Sequence, residues 1–155
     1  MKKRFYIAYG SNLNMEQMLF RCPTARAVGT SELEGWRLLF KGSKSGYYLT
    51  IEPDENSSVP VGVWEVTEED EARLDRFEGV PSCYYKKELM LNIKGIKSGK
   101  FRRRRAFAYI MHEERPLGVP SSRYVMTCAQ GYRDFGFDVA GLCEAICYSQ
   151  EAALK

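Results

Sequence analysis

The feature that most constrains the fold is a series of strand-like stretches before residue 112. Each has an alternating, β-branched or aromatic pattern, and glycine-rich or polar turns separate the stretches. They span residues 4–9, 26–33, 36–41, 46–52, 60–66, 84–93 and 102–111. So many strands, with helices inserted or appended, predict an α+β fold. Six or seven strands can curl into a small β-barrel, although the pattern does not establish closure.

Helices are predicted between and after the strands. Asn14, with Gln17 three residues later, indicates a capping box and a short helix ending near residue 22. A second capping pattern predicts a helix over residues 68–78, and two more helices are expected after residue 120. We find no repeat or linker and expect one domain over residues 1–155.

Composition limits the classes of function. The chain has 155 residues, of which 45% are hydrophobic and 28% are charged, as expected for an ordinary soluble domain. No apolar run reaches the roughly 18 residues of a membrane span, so no membrane partner is expected. The first residues do not resemble a signal peptide, and the five cysteines are an odd number. We therefore expect reduced thiols and a cytoplasmic protein.

Several chemistries are disfavoured by the residues present. His112 is the one histidine, which excludes a histidine-rich metal site. Cys143 and Cys147 could form half of a zinc site, but no second pair at ligand spacing accompanies them. Nucleophile-elbow, dinucleotide and P-loop sequences are absent. We therefore expect neither a metal nor a cofactor.

The run Arg102-Arg103-Arg104-Arg105 raises the question of nucleic-acid binding. Successive residues of a strand point to alternate faces, so about two of these arginines would share one side. The net charge is only +3, and aromatic residues do not interleave with the basic ones. A solvated strand edge is the favoured interpretation, and no nucleic-acid partner is expected.

Two stretches suggest a functional site. The first strand runs into Gly10-Ser11-Asn12, where released backbone amides can form a nest for an anion. Because no P-loop lysine follows, a carboxylate or a developing oxyanion suits this loop better than a nucleotide. By itself, a simple tight turn would also explain the sequence.

The second stretch is L-D-R-F-E-G at residues 74–79. Glu78 is the last helical residue before the Gly79 stop, at the negative end of the helix dipole. This position disfavours ionisation and predicts a raised pKa, as wanted for a carboxyl that both takes and gives a proton. From position alone, a solvated glutamate at a frayed helix end is the simpler interpretation.

Six short motifs occur in a fixed order along the chain and include both of these stretches. In sequence order they are Y-G-S-N-L at 9–13, R-C-P at 21–23, G-V-W at 62–64, L-D-x-x-E-G at 74–79, A-Y-I-M at 108–111 and P-S-S-R-Y at 120–124. The chain resembles the γ-glutamylcyclotransferase family, also known as AIG2-like proteins. The resemblance implies a small mixed β-barrel with surrounding helices. It also implies an enzyme of glutathione metabolism that releases 5-oxoproline from γ-glutamyl amino acids or amines without cofactor or metal.

The resemblance also assigns residues. It places the catalytic carboxylate on Glu78. Substrate binding falls on Tyr6, Ile7, Ala8, Tyr9, Gly10, Ser11, Asn12, Leu13, Tyr85 and Tyr124. Tyr109 matches a further pocket tyrosine less closely. The segment Gly131–Gly136 departs from the family pattern, so a different leaving-group side of the pocket is expected.

The sequence is compatible with two alternatives to this activity. One alternative is a γ-glutamylamine cyclotransferase acting on γ-glutamyl-lysine-type linkages, which would use the same Glu78. Another is a non-catalytic member of the fold that binds a small molecule. The sequence is compatible with a monomer or a homodimer.

Overall fold

Five strands form a closed barrel in the computed structural model, which describes residues 2–43 and 45–154. The strands are β1 (Arg4–Ala8), β2 (Arg26–Ser43), β3 (Gly46–Val66), β4 (Tyr84–Gly95) and β5 (Phe101–Met111). Their order around the barrel is β1-β3-β2-β4-β5. The pairing of β1 with β5 is parallel and closes the barrel, whereas the other pairings are antiparallel. The predicted α+β fold with a small mixed barrel is therefore confirmed.

Two long strands replace four of the predicted ones. β2 joins the stretches at 26–33 and 36–41, and β3 includes residues 53–58, which we predicted to be a turn. The pairing of β2 with β3 explains the difference. Trp36 pairs with Pro53, and the next pair along the two strands is Glu34 with Ser58. The residues between Pro53 and Ser58 therefore bulge out opposite Gly35, which has a φ of +84°. A bulge, rather than a break, lets the two strands bend around the barrel.

Four α-helices flank the barrel, and their positions agree closely with the sequence patterns. They are α1 (Met15–Arg21), α2 (Glu68–Glu78), α3 (Ser122–Asp134) and α4 (Ala140–Ala153). The side chain of Asn14 caps α1 by accepting a hydrogen bond from the amide of Gln17 over 3.0 Å. The Gln17 side chain does not complete the predicted capping box and contacts Asn12 instead.

α2 has a complete capping box at its start and a left-handed glycine after its end. Thr67 accepts from the amide of Asp70, and Asp70 accepts from the amide of Thr67, over 3.1 and 3.0 Å. Gly79, with a φ of +62°, ends the helix. The last helical residue is therefore Glu78, which fixes where this carboxylate leaves the helix.

The barrel interior is apolar, and the arginine run lies outside it. Fully buried side chains include those of Ile7, Phe40, Trp64 and Phe107. All four residues of 102–105 are exposed, in agreement with a solvated strand edge. No helix in the part of the chain that the structure describes is long and apolar enough to cross a membrane.

Candidate active site

A cavity of about 540 Å³ lies where the loop after β1 meets the helices. Its walls come from that loop, from α1 and the end of α2, from the turn between β2 and β3, from the segment after β5, and from the start of α3. The volume falls within the range of roughly 300–1,000 Å³ that is usual for small-molecule sites. The cavity is therefore large enough to hold a small molecule.

The loop after β1 lines the cavity and has free backbone donors. A 3₁₀ turn at Ser11–Leu13 uses the carbonyls of Gly10 and Ser11, which accept from the amides of Leu13 and Asn14 over 3.1 and 3.0 Å. Within the described residues, the amides of Gly10, Ser11 and Asn12 have no hydrogen-bond acceptor. Three successive free N–H groups of this kind can bind a carboxylate or an oxyanion.

Asn12 holds this loop to its surroundings. Its Nδ2 donates to the Tyr6 hydroxyl over 2.9 Å, and its Oδ1 accepts from the Arg21 guanidinium over 3.0 Å. Its backbone carbonyl accepts from Nε1 of Trp64 over 3.0 Å. Because Asn12 is almost fully buried, these bonds fix both the loop and the guanidinium before any ligand arrives.

Glu78 is the one carboxylate among the described residues that line the cavity. Its side chain is partly accessible through the cavity but is otherwise surrounded by protein. This burial raises the pKa of Glu78 to about 7, and the positive charge of Arg21 opposes the rise. The predicted direction of the pKa shift is therefore confirmed, but its main cause is burial rather than the helix dipole. Both protonation states are populated near neutral pH, as acid–base chemistry requires.

Tyrosines form much of the remaining wall and stay neutral. Burial raises the pKa of Tyr6, Tyr9, Tyr84 and Tyr124. The Tyr9 hydroxyl donates to the carbonyl of Tyr109 over 2.6 Å, and that of Tyr84 donates to the carbonyl of Leu49 over 2.9 Å. These bonds tie the wall to the barrel and leave Glu78 as the carboxyl that titrates near neutrality.

The structure brings most of the predicted site residues together. The cavity is lined by Tyr6, Tyr9, Gly10, Ser11, Asn12, Glu78, Tyr109 and Tyr124. Ile7, Ala8 and Leu13 do not line it, because their side chains are buried in the core. Tyr85 also lies outside the cavity, since its hydroxyl donates to Glu113. These four residues therefore lie away from the cavity wall, and their contact with substrate stays a prediction.

The divergent segment Gly131–Gly136 supports the loop rather than lining the cavity. A Cβ on Gly131 would lie 2.4 Å from the backbone nitrogen of Asn14, so only glycine allows α3 to approach this closely. Tyr132 donates to the carbonyl of Tyr9 over 3.2 Å, and Asp134 accepts from the amide of Met15 over 2.9 Å. The segment does not line the cavity, and a different leaving-group side of the pocket stays a prediction.

Arginines of the cavity are the main feature that sequence reasoning missed. They are Arg21, Arg76, Arg115 and Arg123. Arg21 and Arg123 lie inside two of the short motifs, R-C-P and P-S-S-R-Y, which could have signalled them. Arg115 lies in the irregular segment after β5, where no periodicity assigns a direction to a side chain.

The fold and the site together define a class of protein: a helix-flanked β-barrel with a cavity of small-molecule size beside one titratable carboxylate. The model of the family described as "Gamma-glutamyl cyclotransferase, AIG2-like" matches residues 6–126. The chain therefore belongs to this gamma-glutamyl cyclotransferase family, as the resemblance of its motifs predicted. Among curated protein sequences, none matches this chain significantly.

Solved structures share the fold at low sequence identity. One described as "Gamma-glutamyl cyclotransferase" is 22% identical, with a TM-score of 0.75, and the match covers 97% of this chain and 86% of the other. A yeast gamma-glutamyl cyclotransferase specific to glutathione is 12% identical, with a TM-score of 0.64 and coverage of 96% and 97%. An AIG2-like protein from Mus musculus is 18% identical, with a TM-score of 0.55 and coverage of 81% and 84%. At these identities the likeness shows the fold alone.

Proposed function

We propose that this protein is a γ-glutamylcyclotransferase that releases 5-oxoproline from a γ-glutamyl amino acid or amine. The observation that carries the proposal is the position of Glu78, whose pKa is raised to about 7, in the same cavity as the free amides of Gly10, Ser11 and Asn12. One group moves protons, and the other binds negative charge. Intramolecular cyclisation of a γ-glutamyl amide needs these two functions.

The substrate supplies its own nucleophile. Its α-amine attacks the γ-carbonyl carbon, a C–N bond forms, and a five-membered ring closes. A bound, folded conformation brings the two groups together, so no enzyme nucleophile is required. Glu78 takes the proton that the attacking nitrogen releases and then gives it to the leaving nitrogen as the original amide bond breaks. The products are 5-oxoproline and a free amine.

The cavity also offers partners for the charges of the glutamyl half. The free loop amides suit either the α-carboxylate or the tetrahedral oxyanion. Asn12 holds the guanidinium of Arg21 beside the loop, where it suits the α-carboxylate. The ring of Phe77 lies 4.6 Å from the guanidinium carbon of Arg21 and supports its orientation.

A turnover assay tests this proposal. Purified protein is incubated with γ-glutamyl-alanine, with γ-glutamyl-ε-lysine and with glutathione, and the release of 5-oxoproline is measured by mass spectrometry. We expect turnover of at least one compound by the wild-type protein and loss of that turnover in Glu78→Gln. If no compound is cleaved at high protein concentration while 5-oxoproline still binds, the protein is a non-catalytic member of the fold.

A further inference from the structure

The charge of the cavity is unbalanced. Four arginines line it, and Glu78 is the one carboxylate among the described lining residues. Among the described residues, none of the four arginines forms a salt bridge. Positive side chains that line one cavity without a carboxylate partner favour an anionic ligand. The α-carboxylate of a glutamyl group accounts for one negative charge, which Arg21 and the loop amides suit.

Arg115 and Arg123 belong to a different set of elements from Arg21. Arg115 lies in the segment after β5, which is held to β2 because Gly42 donates its amide to the carbonyl of Pro116 over 3.1 Å. Arg123 lies in the first turn of α3, where Tyr124 accepts from the amide of Leu49 over 3.1 Å. Both arginines therefore stand on backbone that is fixed to the barrel.

Nothing within the described protein uses these two guanidinium groups. Arg115 is partly buried and Arg123 is exposed, and neither guanidinium makes a hydrogen bond to another described residue. Arg123 lies in the first turn of α3, and the N-terminus of a helix carries partial positive charge. This part of the cavity can accept a second carboxylate.

We propose that Arg115 and Arg123 bind a carboxylate on the leaving group. This inference rests on the proposed function and narrows its substrate class to γ-glutamyl amino acids and peptides. Conjugates of uncharged or cationic amines that lack a carboxylate are disfavoured, because they cannot form a charge-assisted hydrogen bond with either guanidinium group. Arg115 and Arg123 thus determine which γ-glutamyl compound is used, while Glu78 performs the proton transfer.

The proposal can be tested without turnover. Glutaryl-glycine is γ-glutamyl-glycine without its α-amine, so it keeps both carboxylates but cannot cyclise. Glutaryl-glycinamide differs only in lacking the second carboxylate. By titration calorimetry we expect the wild-type protein to bind glutaryl-glycine at least about tenfold more tightly than glutaryl-glycinamide. One charge-assisted hydrogen bond contributes about this much to affinity.

Matched variants assign the preference to residues. Arg115→Gln and Arg123→Gln should each reduce the preference, the double variant should remove it, and Arg115→Lys should retain part of it. Arg102→Gln, on the exposed end of β5, should bind both probes as the wild type does. Thermal melting of each variant checks that the fold is retained.

The outcomes separate this inference from the proposed function. Equal affinity for the two probes, failure of both to bind, or a preference that survives in the double variant would overturn the inference. A preference that depends on Arg115 and Arg123 supports it even if no γ-glutamyl compound is turned over, a result that would contradict only the proposed function. If turnover occurs, the kcat/KM ratio of γ-glutamyl-glycine to γ-glutamyl-glycinamide should fall in the same variants.

Discussion

The guanidinium of Arg21 donates a hydrogen bond to Oδ1 of Asn12 over 3.0 Å. This contact joins the end of α1 to the loop whose free amides line the cavity. Arg21 also provides the charge that moderates the raised pKa of Glu78. The loop with the free amides and the Glu78 carboxylate are therefore linked through one arginine, which the loop itself keeps in position.

Asn12→Ala should weaken substrate binding more than it slows the chemical step. It removes the acceptor of Arg21 and the donor to Tyr6, so the loop and the guanidinium lose their fixed positions. We expect KM to rise about tenfold and the free energy of unfolding to fall by about 1–3 kcal/mol, the usual cost of unsatisfied buried polar groups. Steady-state kinetics and urea unfolding measure the two effects. Asn92→Ala, at an exposed position of β4, is the control.

Glu78→Gln should fold and bind 5-oxoproline yet lose about 10²–10⁴-fold in kcat, because the amide cannot transfer the proton. Asp75→Asn, one turn earlier in α2, keeps an oxygen that accepts from the Tyr109 hydroxyl and should cost less than tenfold, well below that range. 5-Oxoproline release under saturating substrate measures both. A Gln variant that retains more than roughly a tenth of the wild-type rate would contradict the role of Glu78 as acid and base.

The pH dependence of kcat/KM should report the same group. Glu78 must be ionised in the free enzyme to accept the first proton, so activity should rise with pH and level off above a pKa of about 7. The residual activity of the Glu78→Gln variant should not show this rise with pH. If the wild-type activity instead rose with the ordinary pKa of glutamate, near 4.3, Glu78 would be solvated and burial would not control its pKa.

The free energy of unfolding should fall as pH rises, in contrast to the activity, and Glu78 is again the cause. Because the folded-state pKa of Glu78 lies above its unfolded value of 4.5, folding takes up a proton between these two pH values. The wild-type protein therefore loses stability as pH rises from about 4.5 to about 7. Relative to it, Glu78→Gln should be nearly neutral at pH 4 but more stable at pH 8, by up to about 3 kcal/mol. Urea unfolding at both values tests this difference.

Gly10→Val should abolish turnover with a smaller effect on folding. A Cβ at position 10 would lie 3.4 Å from the Leu49 side chain and from the Tyr124 hydroxyl, so a single methyl group fits with little adjustment. The additional methyl groups of valine would occupy the space in which the loop meets its ligand. We therefore expect Gly10→Ala to keep part of the activity and Gly10→Val to keep none. Wild-type kinetics in a folded Gly10→Val protein would mean that the loop is only a connector.

Local sequence patterns determined much of this molecule. The cap at Asn14, the capping box of α2 and the glycine stop at Gly79 predicted helix ends to within a residue or two, because each acts through bonds between near neighbours. The same locality placed Glu78 at the end of its helix. The short motifs, in their order along the chain, are also sufficient to indicate the family.

Barrel closure and the composition of the cavity were decided only by the tertiary structure. Parallel pairing of β1 with β5 joins residues about a hundred positions apart, and alternation along one strand carries no information about its distant partner. The sequence of the bulge opposite Gly35 resembles that of a turn, because the same polar residues occur in turns and in bulges. Arg115 reaches the cavity through an irregular segment whose side-chain directions no periodicity fixes. The sequence thus determined the elements and the position of the Glu78 carboxylate at the end of its helix, whereas long-range packing decided which side chains surround this carboxylate and raised its pKa by removing water.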